Sequence, residues 1–216
     1  MCGRFSLTAP ADLVAEIFDL DDELELSPHY NVAPTQPILA VRDVAYGREA
    51  FSPRWGLVSP ATRGRAAPLI NARVETVSER VAFREPFHHR RCLIPADGFY
   101  EWMRGAKRAF HFSLADGAPF GFAGLWEPGD ADTSSCVILT TTPNELVAEV
   151  HDRMPVILER SGFQSWLEAR DPRDAEPWRV PLRAARMRVR EVGRSVNDVR
   201  NDGPECQEPP RERRLF

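Results

Sequence analysis

Little in this chain suggests a membrane, a metal or an oxidising compartment. No stretch approaches the ~18 consecutive apolar residues of a membrane-spanning helix. The N-terminus lacks the basic-then-apolar pattern of a secretory signal, and acidic Asp12, Glu16 and Asp19 arrive early. The four cysteines, Cys2, Cys92, Cys136 and Cys206, lie far apart, and there is no C-x-x-C or H-x-x-x-H pair. No zinc site, other metal or cofactor is therefore expected. With no export signal, reduced thiols in a cytoplasm are the expected state. Lysine is nearly absent: Lys107 stands alone against 27 arginines. Internal repeats are missing too.

What is present points to one domain of short strands. The 216 residues are 43% hydrophobic, enough to bury a core. Nineteen prolines and 13 glycines favour turns over a helical bundle. Residues 9–20 read as a helix, with Leu13, Ile17 and Leu20 on one face, Thr8 as N-cap and Pro10 in the first turn. Residues 21–35 read as loop, with strands near 37–43 and 50–57. An Arg/Gly-rich loop covers 59–68, and a short helix is expected over 74–82. A strand-rich block runs from Arg91 to Thr141, with Asp116-Gly117 as a hairpin signal. Helices are expected over 144–150 and 161–169, and strands over 156–158 and 187–192. The class is α+β, dominated by antiparallel strands.

Net charge is −4, but it is unevenly spread. Residues 51–110 hold eleven basic and five acidic side chains, +6, which leaves −10 for the remainder. A basic region in an acidic protein suits a phosphate-tracking groove, or equally an arginine-rich solvated surface.

Cys2 follows the initiator methionine, and a residue this small favours methionine removal. A free N-terminal cysteine carries an amine and a thiol on adjacent carbons. The amine condenses with an aldehyde to an imine, and the thiol closes a thiazolidine. The same thiol could serve acyl transfer. Three further polar residues sit in apolar or rigid surroundings: Asn71 in Leu69-Ile70-Asn71-Ala72-Arg73, Glu101 in Asp97-Gly98-Phe99-Tyr100-Glu101-Trp102, and His151 in His151-Asp152-Arg153-Met154-Pro155. Each has a bland alternative: a loop cap, a strand carboxylate, a helix-end histidine beside the dipole.

As a set, these strings resemble the SOS-response-associated peptidase (SRAP) family of abasic-site processing proteins. The resemblance also takes in Met1-Cys2-Gly3-Arg4-Phe5, Tyr30-Asn31-Val32-Ala33-Pro34, Ala123-Gly124-Leu125-Trp126-Glu127 and Val196-Asn197-Asp198-Val199. It spans residues 2–204 and implies one domain with a barrel-like, largely antiparallel sheet flanked by short helices. Residues 205–216 would be a flexible polar tail. It implies a monomer whose concave face binds single-stranded DNA containing abasic sites, in the cytoplasm and on the nucleoid during DNA damage. Mature Cys2 would cross-link to the ring-opened sugar, with Asn71, Glu101 and His151 as the other catalytic residues. Glu101 and His151 suit proton transfer during ring opening, and Asn71 suits orientation. Arg4, Arg73 and Arg153 flank reactive residues as candidate phosphate clamps, and Trp102 is a candidate stacking wall. Lyase-like and peptidase-like activities accompany the family description. In one departure, loop 59–68 has Arg63 and Arg65 but no tryptophan, so backbone electrostatics are expected to replace stacking there. Two other functions remain open: an N-terminal-nucleophile amidohydrolase or protease, and a non-enzymatic nucleic-acid-binding module.

Overall fold

Alternating side chains along the longest strands form two main cores, and a smaller cluster of Tyr100, Ala109, Val192, Val196 and Cys206 forms a third. The computed structural model describes residues 2–58, 67–106, 108–129, 133–169 and 171–211. The strands are β1 (Phe5–Leu7), β2 (His29–Val32), β3 (Ala40–Val44), β4 (Gly47–Phe51), β5 (Arg54–Trp55), β6 (Asn71–Arg73) and β7 (Arg91–Ala96). They continue with β8 (Gly98–Trp102), β9 (Ala109–Leu114), β10 (Phe120–Pro128), β11 (Ser134–Thr141), β12 (Met154–Pro155), β13 (Ile157–Leu158) and β14 (Met187–Val192). Among the described residues four short α-helices join them: α1 (Ala11–Phe18), α2 (Val81–His89), α3 (Glu145–Ala148) and α4 (Phe163–Glu168).

One sheet has the order β14-β9-β8-β1-β2 and is antiparallel throughout. The larger sheet runs β12-β11-β10-β7-β3-β4, with β13 beside β10 and with β5 and β6 parallel to β11. In β10, Phe120 and Phe122 point toward the first sheet, where they meet Phe5, Phe99 and Phe112. Ala123 and Leu125 point the other way, into a second core closed by α1, α2 and α4 through Phe18, Phe87, Phe163 and Trp166. Strand β7 is buried along its whole length because both of its faces are covered. The larger sheet is therefore the middle layer. Truncating a ring such as Phe122 to alanine should cost roughly 3–5 kcal/mol.

The strand-rich block and the α+β class stand as expected. Several local expectations need correction. Helix α1 starts at Ala11 behind Pro10, with no side-chain cap. Thr8 instead donates its N–H and hydroxyl to Asp97. The stretch read as loop over 21–35 contains β2. No helix forms over 74–80; the chain turns there, and α2 begins at Val81 with Pro86 inside it. The start of the supposed tail is docked: Cys206 is buried, and Gly193 N–H donates to the Glu208 carbonyl at 2.8 Å; residues 212–216 lie outside the described residues. Most of loop 59–68, including Arg63 and Arg65, lies outside the described residues, so the expectation about it does too. Among the described residues no helix is long and apolar enough to cross a membrane.

Candidate active site

The site is assembled at the start of the chain, where β1, β6, β8 and the turn after α3 converge. Cys2 precedes β1 and is fully buried. Its thiol points back to the Arg4 carbonyl at 3.8 Å, and its own carbonyl accepts a 2.8 Å hydrogen bond from Asn71 Nδ2. Asn71 is held by β6, which runs parallel to β11 with Asn71 opposite Ile138. The other amide atom, Asn71 Oδ1, is buried with no hydrogen-bond partner among the described residues. An acceptor left open beside the Cys2 backbone is a place for a donor from outside the chain.

Glu101 sits on β8 opposite Phe110 and is 3% exposed. Burial pushes its carboxyl up to about 7, against the pull of the positive charge at the chain's start and the Trp102 backbone N–H. Burial also pushes the Cys2 thiol well up, and the nearby Glu101 adds to that. The resting thiol is therefore neutral. His151 follows α3, whose N-cap Asn144 accepts from Val147 N–H, and its own N–H donates to the Val147 carbonyl. Burial and the charge at the chain's start both hold the imidazole below its ordinary pKa. Its Nδ1 lies 3.1 Å from the Arg153 N–H and 3.2 Å from the Arg153 carbonyl, so it can accept from the first or donate to the second according to the tautomer. Asp152 approaches the same nitrogen at 3.2 Å and is itself held by Arg104.

Cys2, Glu101 and His151 thus all respond electrostatically to the beginning of the chain. Asn71 bonds the Cys2 carbonyl, Glu101 acts on the Cys2 thiol, and Asp152, beside His151, acts on Glu101, so the four sequence-selected residues lie near one another. Among the described residues no group of three or more His, Cys, Asp or Glu side chains could hold a metal.

The candidate DNA contacts differ in availability. Arg73 is exposed and makes no ion pair among the described residues. Arg153 is engaged: its guanidinium forms a two-pronged pair with Glu75 at 2.7 and 2.8 Å and donates to the Thr140 carbonyl. Burial alone would raise the Glu75 carboxyl, but those bonds hold it below its ordinary value. Arg4 gives Nη1 to Asn31 Oδ1 and to the Val196 carbonyl, both at 2.7 Å. It also lies 5.8 Å over the Trp102 ring. A groove of about 670 Å³ between β1, β2 and β3 is lined by none of the candidate catalytic residues.

Residues 1–199 match the family described as SOS response associated peptidase (SRAP). The chain belongs to the SRAP family. Within it, the Bacillus subtilis abasic site processing protein YoqW is 39% identical over 222 residues, 96% of this chain and 99% of that one. The abasic site processing protein YoaM of the same organism is 38% identical, covering 95% and 96%. A solved structure from Bacteroides thetaiotaomicron shares the SRAP fold at a TM-score of 0.82 and 22% identity, covering 96% of this chain and 99% of that one. Sequence reasoning assigned no role to Asn31 or Asn197, although the strings that hold them contribute to the SRAP resemblance. It also passed over half-buried Glu75 and exposed Arg104 and Asp152, whose ion pairs are made with partners distant in sequence.

Proposed function

We propose that this chain processes abasic sites in single-stranded DNA by forming a covalent thiazolidine through Cys2. The observation that carries the reading is the gathering of Asn71, Glu101 and His151 around the chain's first residues. Removal of Met1 would put the free amine beside a carboxyl poised near neutral pH. The closed abasic sugar must first open to its aldehyde, with a proton leaving the anomeric hydroxyl and another reaching the ring oxygen. Glu101, near half-protonated at pH 7, suits either transfer. His151, held below its ordinary pKa and so neutral near pH 7, suits a hydrogen bond to the sugar and proton exchange with it.

The Cys2 amine then adds to the aldehyde carbon and water leaves, giving an imine. The thiol sulfur adds to the same carbon, and the thiol proton passes to nitrogen, closing the ring. No oxidant or cofactor is needed. The open acceptor Asn71 Oδ1 suits the amine or a sugar hydroxyl. Exposed Arg73 suits a phosphate. The buried thiol argues against an acyl-transfer enzyme working through a resting thiolate. A binding module would need no Cys2 chemistry at all.

The test compares an abasic single-stranded oligonucleotide with one whose abasic aldehyde has been reduced to the alcohol. The first should give a denaturation-resistant adduct and the second should bind without one. Adducts with both would rule out aldehyde chemistry.

A further inference from the structure

A buried amide joins the N-terminal strand to the far end of the chain. Asn31, on β2, is 1% exposed. Its Oδ1 accepts from Arg4, and its Nδ2 donates to the carbonyls of Val196 (3.3 Å), Asp198 (3.0 Å) and Asn201 (2.8 Å). Asp202 closes the same knot from outside, accepting from the backbone N–H groups of Tyr30 and Asn31. Segment 195–202 is thereby strapped across β2. Two of its groups face the candidate DNA-binding wall. The Val196 carbonyl takes Arg4 Nη1, and Asn197 Oδ1 takes the Trp102 indole N–H at 2.7 Å. Trp102 is half-buried at the end of β8, directly after Glu101, with the Arg4 guanidinium over its ring.

We propose that Asn31 and Asn197 are positioning residues for nucleic-acid binding, holding the strap so that Arg4 and Asn197 fix the Trp102 ring as a stacking surface for a base flanking the lesion. This rests on the DNA reading of the site. It gives Arg4 a different main task from phosphate clamping, because Nη1 already serves two oxygens of the fold. It also explains why an asparagine suits position 31: a neutral amide accepts from a guanidinium while sharing its two N–H donors among the strap carbonyls. A carboxylate would lose the donors and a hydrocarbon both.

The test uses the full chain and an undamaged single-stranded oligonucleotide. Asn197→Ala should speed solvent exchange of the Trp102 indole N–H, followed by NMR, and weaken oligonucleotide binding about tenfold, within the range for one base–aromatic stack. At saturating abasic oligonucleotide, its cross-linking rate should stay within about twofold of wild type. Asn197→Asp keeps the acceptor and should restore slow indole exchange. Asn31→Ala removes every side-chain bond of a buried amide and endangers the fold, so the Asn197 variants decide the matter. Unchanged affinity in Asn197→Ala overturns the proposal. So does a joint fall in affinity, rate and Tm, which would mean a merely structural role. A wild-type chain that binds the oligonucleotide yet forms no abasic adduct defeats the cross-linking reading and leaves this one standing. A wild-type chain that binds no oligonucleotide defeats this one.

Discussion

At the scale of single residues, the account separates the two nucleophiles of Cys2. Cys2→Ser keeps the amine and replaces the thiol with a hydroxyl that closes a ring poorly. It should lose the stable adduct but leave a transient imine that borohydride traps, visible as a shifted band on a denaturing gel. A stable untrapped adduct from Cys2→Ser would show that sulfur is not needed. Glu101 is the next residue to separate. Glu101→Gln preserves shape and cannot shuttle a proton, so adduct formation should slow by ~10²–10⁴-fold while affinity for the intact strand holds. A change of less than about twofold would return Glu101 to an ordinary buried strand carboxyl.

At the scale of elements, the β7–β8 turn sets where Glu101 stands. Gly98 sits there because a Cβ would lie 2.1 Å from His111 Nε2 and 2.9 Å from the Phe112 carbonyl. The neighbouring Ser6 hydroxyl donates to Asp97 at 2.6 Å, leaving its oxygen to accept from His111 Nε2–H at 3.1 Å. Gly98→Ala must push β8 and β9 apart. It should cost roughly 1–3 kcal/mol in thermal unfolding and slow cross-linking by displacing Glu101. Unchanged Tm and rate would mean the turn tolerates the shift. Elements with strong patterns were legible in the sequence: β7, β10 and β11 are apolar runs buried almost throughout, and α4 repeats Phe163, Trp166 and Leu167 on its buried face. Strands β2 and β6 were not, because three or four residues show no period and their pairing is settled by distant partners. Helix α2 was hidden by Pro86, which reads as a breaker yet sits in the last turns of a helix whose Phe83 and Phe87 are buried. The proposed catalytic set was legible as isolated polar letters in apolar strings. Its gathering at the chain's start was visible only once β6, β8 and α3 were placed. The Asn31 knot was illegible for the same reason, since its partners lie more than 160 positions away.

At the scale of the whole molecule, two buried titratable groups pull stability in opposite directions. Glu101 is raised from 4.5 to about 7 by burial. Between those values the folded chain keeps a proton that the unfolded chain releases, so stability falls as pH rises through that window. His111 is lowered from 6.5 to about 4, chiefly by burial. Between those values the unfolded chain takes up a proton that the folded chain refuses, so stability falls as pH drops. The two slopes largely cancel between about 4.5 and 6.5. Glu101→Gln should therefore make Tm fall more steeply on acidification than in wild type, and His111→Gln should make it fall less or rise. Parallel Tm–pH curves for all three proteins would contradict the burial assigned to both groups.

The central claim is that one molecule of this chain, without Met1, condenses through Cys2 with one abasic aldehyde. Intact mass spectrometry of the denatured mixture with an abasic single-stranded oligonucleotide tests it most directly. The account predicts a single species weighing the Met1-less chain plus the oligonucleotide less one water, absent when Cys2→Ala replaces the wild type. A stable adduct that retains Met1, or one that survives Cys2→Ala, would contradict it.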